Sequence, residues 1–199
     1  MQTGTYLDQL REIALDQHGL VTTSQAAEEG VPPVELRKML SRGRVERAAH
    51  GVYRIPQTPS SANDQYQLAV LWTGDPNACL SHESALEAWD ITDIIPNQIH
   101  VTIPRHRRVR RKGGEGYILH HNDLRPHQKT WWEGIPITTV PTTIEHCITT
   151  GTQTYLIKQA LERGARTSLL PASHVGHLAQ LLEERDFAAR SGESRDAVG

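Results

Sequence analysis

This chain lacks most of the marks that would assign it to a familiar chemical class. It has two cysteines, Cys79 and Cys147, far apart and without metal-ligand spacing. A disulfide scaffold and a thiolate zinc site are therefore not expected; the plain reading is two reduced thiols in a cytoplasmic protein. No apolar run is long enough to span a bilayer, and the N-terminus lacks a signal-peptide pattern. Phosphate-loop patterns are absent, and no glycine-framed nucleophile turn surrounds Ser84. There is no internal repeat and no low-complexity stretch. The net charge of -2 gives no global attraction to nucleic acid, so any such binding must use local patches. With 199 residues, the chain has room for two small domains or one medium one.

The most informative segment runs from Thr22 to Ile55, TTSQAAEEGVPPVELRKMLSRGRVERAAHGVYRI. Thr22 suits a helix N-cap, with Gln25 as its reciprocal partner three residues on. Ala26 and Ala27 are small enough for another helix to pack close. Gly30 stands where a left-handed C-terminal cap is needed. Pro33 suits the first position of the next helix, where its missing N–H costs nothing. Pro32 stands where a Ser, Thr or Asp cap would be expected, so Pro32-Pro33 fixes the turn by itself. Leu36 and Leu40 lie four apart on one inward stripe, and Gly43 ends the helix. Val45, Ala49, Val52 and Ile55 suit a hairpin that turns near His50-Gly51. An upstream helix, about Tyr6 to Gln17, presents Leu7, Leu10, Ile13 and Ala14 at helical spacing. Helix, turn, helix and basic two-stranded wing together describe a winged helix-turn-helix domain over residues 1–56, which places one helix in the DNA major groove.

Charge within this segment supports DNA over a protein-contact role for the same fold. Residues 1–56 hold seven basic and seven acidic residues, yet all the basic ones except Arg11 lie from Arg37 onward. Arg37, Lys38 and Ser41 point away from the leucine stripe and are the candidates for base or near-base contacts. Arg42, Arg44, Arg47 and Arg54 are placed to hold phosphates.

A linker, Pro56-Gln57-Thr58-Pro59-Ser60-Ser61, marks the expected boundary. Beyond it, residues 62–190 read as a mixed α+β domain. Helices are expected at about Ala62–Trp72, Leu80–Trp89, Thr142–Thr150 (with Glu145 completing a capping box), Thr154–Arg163 and Ser173–Arg185. Strands are expected at Ile99–Pro104, Tyr117–His121 and Ile135–Val140. The polar stretch 191–199 reads as a disordered tail. The fold class expected is thus α+β throughout.

Residues 57–104 contain no Lys or Arg and six acids; then Arg105, Arg107, Arg108, Arg110, Arg111 and Lys112 crowd into eight residues before Gly113-Gly114. This reads as a basic β-hairpin arm with a glycine tip. Six like charges so close call for compensating anions. A phosphate backbone is one source, through counterion release. The acids of residues 57–104 are another, and RNA or an acidic protein a third. Arg107, Arg108, Arg110, Arg111 and Lys112 are the candidates for a second nucleic-acid footprint.

Enzymatic readings are weaker. Eleven histidines invite a metal site, but adjacent pairs on a strand (His120, His121) diverge. His146 and Cys147 diverge on a helix; only His174 and His177 share a helix face at ligand-like spacing. His82-Glu83 suits a helix start or packing. Trp131-Trp132 reads as core or an inter-domain contact. No catalytic residue, metal or cofactor is expected, and the chain is not read as an enzyme.

Taken in order, four segments resemble the AbiEi-type antitoxin family of bacterial toxin–antitoxin, or abortive-infection, systems. They are the wing from Arg44-Val45-Glu46-Arg47 through His50-Gly51-Val52-Tyr53-Arg54; Leu80-Ser81-His82-Glu83-Ser84-Ala85-Leu86; Ile99-His100-Val101-Thr102-Ile103-Pro104 with the arginine run; and Gly134-Ile135-Pro136-Ile137-Thr138-Thr139-Val140-Pro141-Thr142-Thr143. The resemblance implies a repressor of its own operon, binding double-stranded DNA at inverted repeats through the winged helix. It also implies an antitoxin of type IV-like character that counters a nucleotidyltransferase-like toxin, with or without direct contact. Some relatives continue into a nuclease domain; about sixty residues follow Pro141 here, short of an extra domain. The alternatives are a nucleic-acid-binding transcriptional regulator without a toxin partner and, further off, a nuclease-related or RNA-directed enzyme.

Overall fold

The computed structural model describes residues 5–196, with side chains through Ser191. The chain is mixed α+β and packs as two compact units. One comprises the residues up to Cys79 with Val101–Asp123 and Trp131–Pro136; the other comprises Leu80–His100, Leu124–Thr130 and Ile137 onward.

In chain order the first elements are α1 (Tyr6–Leu15), β1 (Leu20–Thr22), α2 (Thr23–Glu28), α3 (Pro33–Ser41), β2 (Glu46–Ala49) and β3 (Val52–Arg54). Their ends follow local chemistry. The Thr22 hydroxyl accepts from the Gln25 N–H at 3.2 Å, and Gln25 Oε1 accepts from the Thr22 N–H at 2.9 Å. This is the reciprocal capping expected from the sequence. Gly30, Gly43 and Gly51 take left-handed φ values of 76°, 65° and 73° at the ends of α2 and α3 and in the β2–β3 turn, a region costly for a residue with a Cβ. Pro32 caps α3 with no side-chain bond, at φ -61° and ψ 143°. A residue before proline is driven out of the helical region, so the pair sets the start of α3 sterically.

The three strands form a sheet in the order β1-β3-β2. β3 is central and antiparallel to both neighbours, pairing Leu20 with Arg54 on one side and Arg47 with Tyr53 on the other. Leu7, Leu10, Ala14, Val21, Ala26, Val31, Leu36, Met39, Val45, Tyr53 and Ile55 bury together. Met39, with Leu36, supplies the buried side of α3, while Leu40 is only partly covered. The inward stripe is thus 36/39 with 40 at its edge, rather than 36/40. Burying a side chain of this size stabilises by about 1.5–3 kcal/mol.

The chain continues through α4 (Asp64–Thr73), β4 (Cys79–Leu80), α5 (His82–Ala88), β5 (Ile99–Ile103), β6 (Tyr117–His121), a 3-10 turn at Pro126–Gln128, β7 (Lys129–Trp132), β8 (Ile135–Thr138), α6 (Val140–Thr149), α7 (Thr154–Arg166) and α8 (Ala172–Asp196). α4 packs on all three strands of the first sheet. The second sheet has the order β6-β5-β4-β8-β7, with β4 and β8 parallel at Leu80–Ile137. Leu86, Ile91, Val140, Ile144, Cys147, Ile148, Ile157, Ala160, Leu170, Leu178 and Leu182 form the core of α5 to α8.

Three sequence expectations change here. α6 begins at Val140 with Thr139 as its N-cap, so Thr142 lies inside the helix and bonds to Thr139 Oγ1 at 3.0 Å instead of capping. Pro141 suits this earlier start, since the first turn needs no N–H from it. Trp131 is 70% exposed on β7 and is not core. α8 runs through Asp196, across most of the stretch expected to be a disordered tail; residues 197–199 lie outside the described residues.

Candidate nucleic-acid interface

α3 presents one polar face. Its exposed residues are Pro33, Val34, Arg37, Lys38 and Ser41. At about 100° per residue, Arg37, Ser41, Val34 and Lys38 fall in that angular order within one arc of about 100°. Each polar member is held back on its own helix. Arg37 Nε donates to Pro33 O at 3.3 Å, Lys38 Nζ pairs with Glu35 at 2.8 Å, and Ser41 Oγ donates to Lys38 O at 3.0 Å. Exposed i,i+3 pairs such as Lys38–Glu35 hold weakly, so these groups are available to a ligand. Val34, at 48% exposure, joins this face although it is apolar; the sequence carries the signal, since Val34 falls opposite Leu36 on a helical projection.

Arg42, Arg44 and Arg47 are exposed. The Arg47 guanidinium lies 6.0 Å from the centroid of the Tyr53 ring across the β2–β3 pair, at the outer limit of a cation–π contact. Arg54 differs: its Nη2 pairs with Asp64 Oδ2 at 3.0 Å and its Nη1 donates to His18 O at 3.4 Å. Burial works to raise the Asp64 carboxyl. The Ser61 N–H and hydroxyl and the Arg54 cation outweigh it, so Asp64 titrates below the usual carboxylate range. Arg54 thereby ties β3 to α4.

The arginine-rich stretch does not project as an extended arm. β5 ends at Ile103 and β6 begins at Tyr117; between them the chain folds back on the C-terminus of α4. A helix end leaves carbonyls without partners, and here arginines fill the need. Arg111 Nη1 donates to Trp72 O at 2.7 Å and to His50 O, in the β2–β3 turn, at 3.4 Å. Arg107 Nη2 donates to Gly74 O at 3.2 Å, and its Nε lies 2.7 Å from Asp75 Oδ2 as a close ion pair without hydrogen-bond alignment. The Asp75 side chain is 5% exposed. Gly74 takes φ 68°, and a Cβ there would fall on the Arg111 guanidinium. Trp72 Nε1 donates to Lys112 O at 3.0 Å and its ring packs on Tyr117 with centroids 5.1 Å apart. Burial, then the neighbouring Arg107 charge, lowers the Arg111 pKa from its ordinary value; an arginine remains a cation under such a pull.

The stretch therefore divides. Arg107 and Arg111 are engaged by α4 and the β2–β3 turn. Arg105, Arg108, Arg110 and Lys112 are exposed, with Arg108 Nη1 donating to Arg105 O and Arg107 O at 2.9 and 3.0 Å. Internal pairing and outward charge are both present, on different residues.

The second unit holds a histidine cluster. The His82 and His146 rings stack with centroids 4.8 Å apart, and the His82 and His100 centroids are 6.0 Å apart. Burial lowers the pKa of both His100 and His146, with Glu83 and Glu145 opposing it respectively. Burial also pushes the Cys147 thiol well above its usual value, which leaves it protonated and inert. His174 and His177 are exposed on α8. No helix of the described residues is long and apolar enough to cross a membrane.

Residues 8–56 match the family model described as "Transcriptional regulator, AbiEi antitoxin". A search of the curated proteins finds no match. Among solved structures, the chain is similar to the crystal structure of the RV2827C protein from Mycobacterium tuberculosis, at 17% identity, covering 92% of this chain and 78% of that chain with a TM-score of 0.46.

Proposed function

We propose that this chain, whose residues 8–56 match the AbiEi-antitoxin regulator family model, is the antitoxin of a type IV-like toxin–antitoxin pair. It represses its own operon through a winged helix-turn-helix over residues 1–56 and counters a nucleotidyltransferase-like toxin. The family supports a regulator of a toxin–antitoxin system; it is a family of regulators, not of enzymes. The single observation that carries DNA binding is the exposed polar face of α3 beside the basic β2–β3 pair. α3 is the recognition helix, with Arg37, Lys38 and Ser41 over base edges, and Arg42, Arg44 and Arg47 on phosphates.

The test is binding of the purified protein to a labelled duplex from its own upstream DNA, against a scrambled duplex, at several salt concentrations. Preference for the upstream duplex is expected. Arg37→Ala should weaken that complex by roughly 1–3 kcal/mol and relax its specificity. Unchanged affinity would remove α3 from the recognition role.

The family match ends at residue 56, and this favours a second reading, a winged-helix regulator without a toxin partner. A nucleotidyltransferase gene beside this one, and rescue of its toxicity by this chain, distinguish the two.

A further inference from the structure

The loop between β5 and β6 does more than add positive charge. We propose that it is an accessory wing for duplex DNA, in which Arg107 and Arg111 position the loop and Arg110 and Lys112 grip the phosphate backbone. This rests on the DNA-binding reading of α3 and the β2–β3 pair. It goes beyond that reading by splitting one basic run into residues with different roles and by tying it to the same duplex.

The argument starts from the contacts of two guanidinium groups. Arg111 joins two elements, donating to Trp72 O at the end of α4 and to His50 O in the β2–β3 turn. Arg107 anchors the same loop a second time, through Gly74 O and the nearly buried Asp75 carboxylate. The tie at one edge of each guanidinium, Nη1 of Arg111 and Nη2 with Nε of Arg107, fixes both side chains in place. Its consequence is geometric: the loop is fastened against the tip of the β2–β3 pair. Arg110 and Lys112, on either side of Arg111, are exposed. They carry like charge next to two fixed cations, Arg107 and Arg111, and an incoming polyanion relieves that repulsion. A phosphate backbone suits them better than an acidic side chain, because the charges are spaced along a segment and offer no enclosed pocket. Since the loop is fastened to the β2–β3 turn, the strand it grips is the one that runs past that turn.

The experiment measures affinity for the upstream duplex at several salt concentrations for wild type, Arg37→Ala, the pair Arg110→Ala/Lys112→Ala, Arg111→Ala, and the triple variant. The pair should retain the preference for upstream over scrambled DNA and show a salt slope shallower by about 2, at about 0.9 per lost phosphate contact. Arg111→Ala should give a similar loss although Arg110 and Lys112 remain, and the triple variant should lose no more than the pair. That non-additivity distinguishes positioning from a third contact. If Arg111→Ala fails to fold by circular dichroism, Arg111→Met replaces it, keeping the packed stem while removing the donors to Trp72 O and His50 O; the same shallower slope is expected. An unchanged slope in the pair, with weakened binding in Arg37→Ala, overturns the accessory wing alone. An additive loss in the triple variant overturns the positioning role of Arg111. Absence of wild-type binding overturns both this inference and the DNA-binding reading.

Discussion

If α3 enters the major groove as proposed, Val34 gives the sharpest test of its orientation. It is an apolar side chain in the middle of an otherwise polar face, between Ser41 and Lys38 in projection, and it keeps 48% of its surface exposed. In the major groove the apolar partner for such a group is the C5-methyl of thymine. Full burial of a valine is worth about 1.5–3 kcal/mol; covering the exposed half is therefore worth about 0.7–1.4 kcal/mol. Since 1.4 kcal/mol is a factor of ten, Val34→Ala should raise the Kd for the upstream duplex by about three- to tenfold. The substitution should leave the fold intact, because alanine is the better helix former and Val34 lies outside the core. The assay is fluorescence anisotropy on two duplexes, one natural and one with deoxyuridine in place of thymine at the half-sites. Removing the methyl groups should weaken wild type by the same factor and leave Val34→Ala unaffected. Equal affinity of the two proteins for the natural duplex, or equal loss in both on deoxyuridine, would refute the thymine contact and with it this orientation of α3.

Further outcomes follow from other parts of the structure. Gly19→Ala forces a side chain onto φ 76° and into the Thr58 hydroxyl; the backbone strain alone is about 1–2 kcal/mol, so urea unfolding should shift by at least that much, and an unshifted midpoint would disprove the turn geometry. His100 and His146 have pKa values lowered from 6.5 by burial, so as pH falls the unfolded chain takes up their protons first. The stability they contribute is complete above about 6.5 and is lost as pH falls through their folded values. The urea midpoint should therefore drop between about pH 7.5 and 5.5, and His146→Gln should flatten that drop; a midpoint that held steady in wild type would contradict it. If the chain binds DNA as proposed, the five exposed cations assigned to phosphates (Arg42, Arg44, Arg47, Arg110 and Lys112) predict a salt slope of about -4.5. A slope near about -7 would mean that Arg54, Arg107 and Arg111 leave Asp64, Asp75 and the carbonyls of α4 and the β2–β3 turn to join them.

What the sequence reveals and what it hides divide along the reach of the interactions. The Thr22–Gln25 capping, the left-handed Gly30 and Gly43, and the His50-Gly51 turn all rest on neighbours within four residues, and the structure has each of them. The strand at Leu20–Thr22 leaves no mark in the sequence, because its three residues are all buried and show no alternation; its partner lies some thirty residues away in β3. α4 was expected beyond a domain boundary. A linker's composition says that the chain turns, but not which surface the next helix covers, and α4 covers the first sheet. The same limit governs the arginine run. Its position after an acid-rich stretch supplied two explanations, internal pairing and an external anion, and composition could not choose between them. The choice is made by the end of α4, whose carbonyls at Trp72 and Gly74, together with Asp75, take the side chains of Arg111 and Arg107. Arg105, Arg108, Arg110 and Lys112, in the same run, are left outside. A helix terminus that needs donors thus sorts a uniform basic run into fixed and outward-facing charges. On the accessory-wing proposal the sorted run is the more specific reader: Arg110 and Lys112 are held in register with the β2–β3 turn by Arg111, whereas six mobile charges would bind any polyanion.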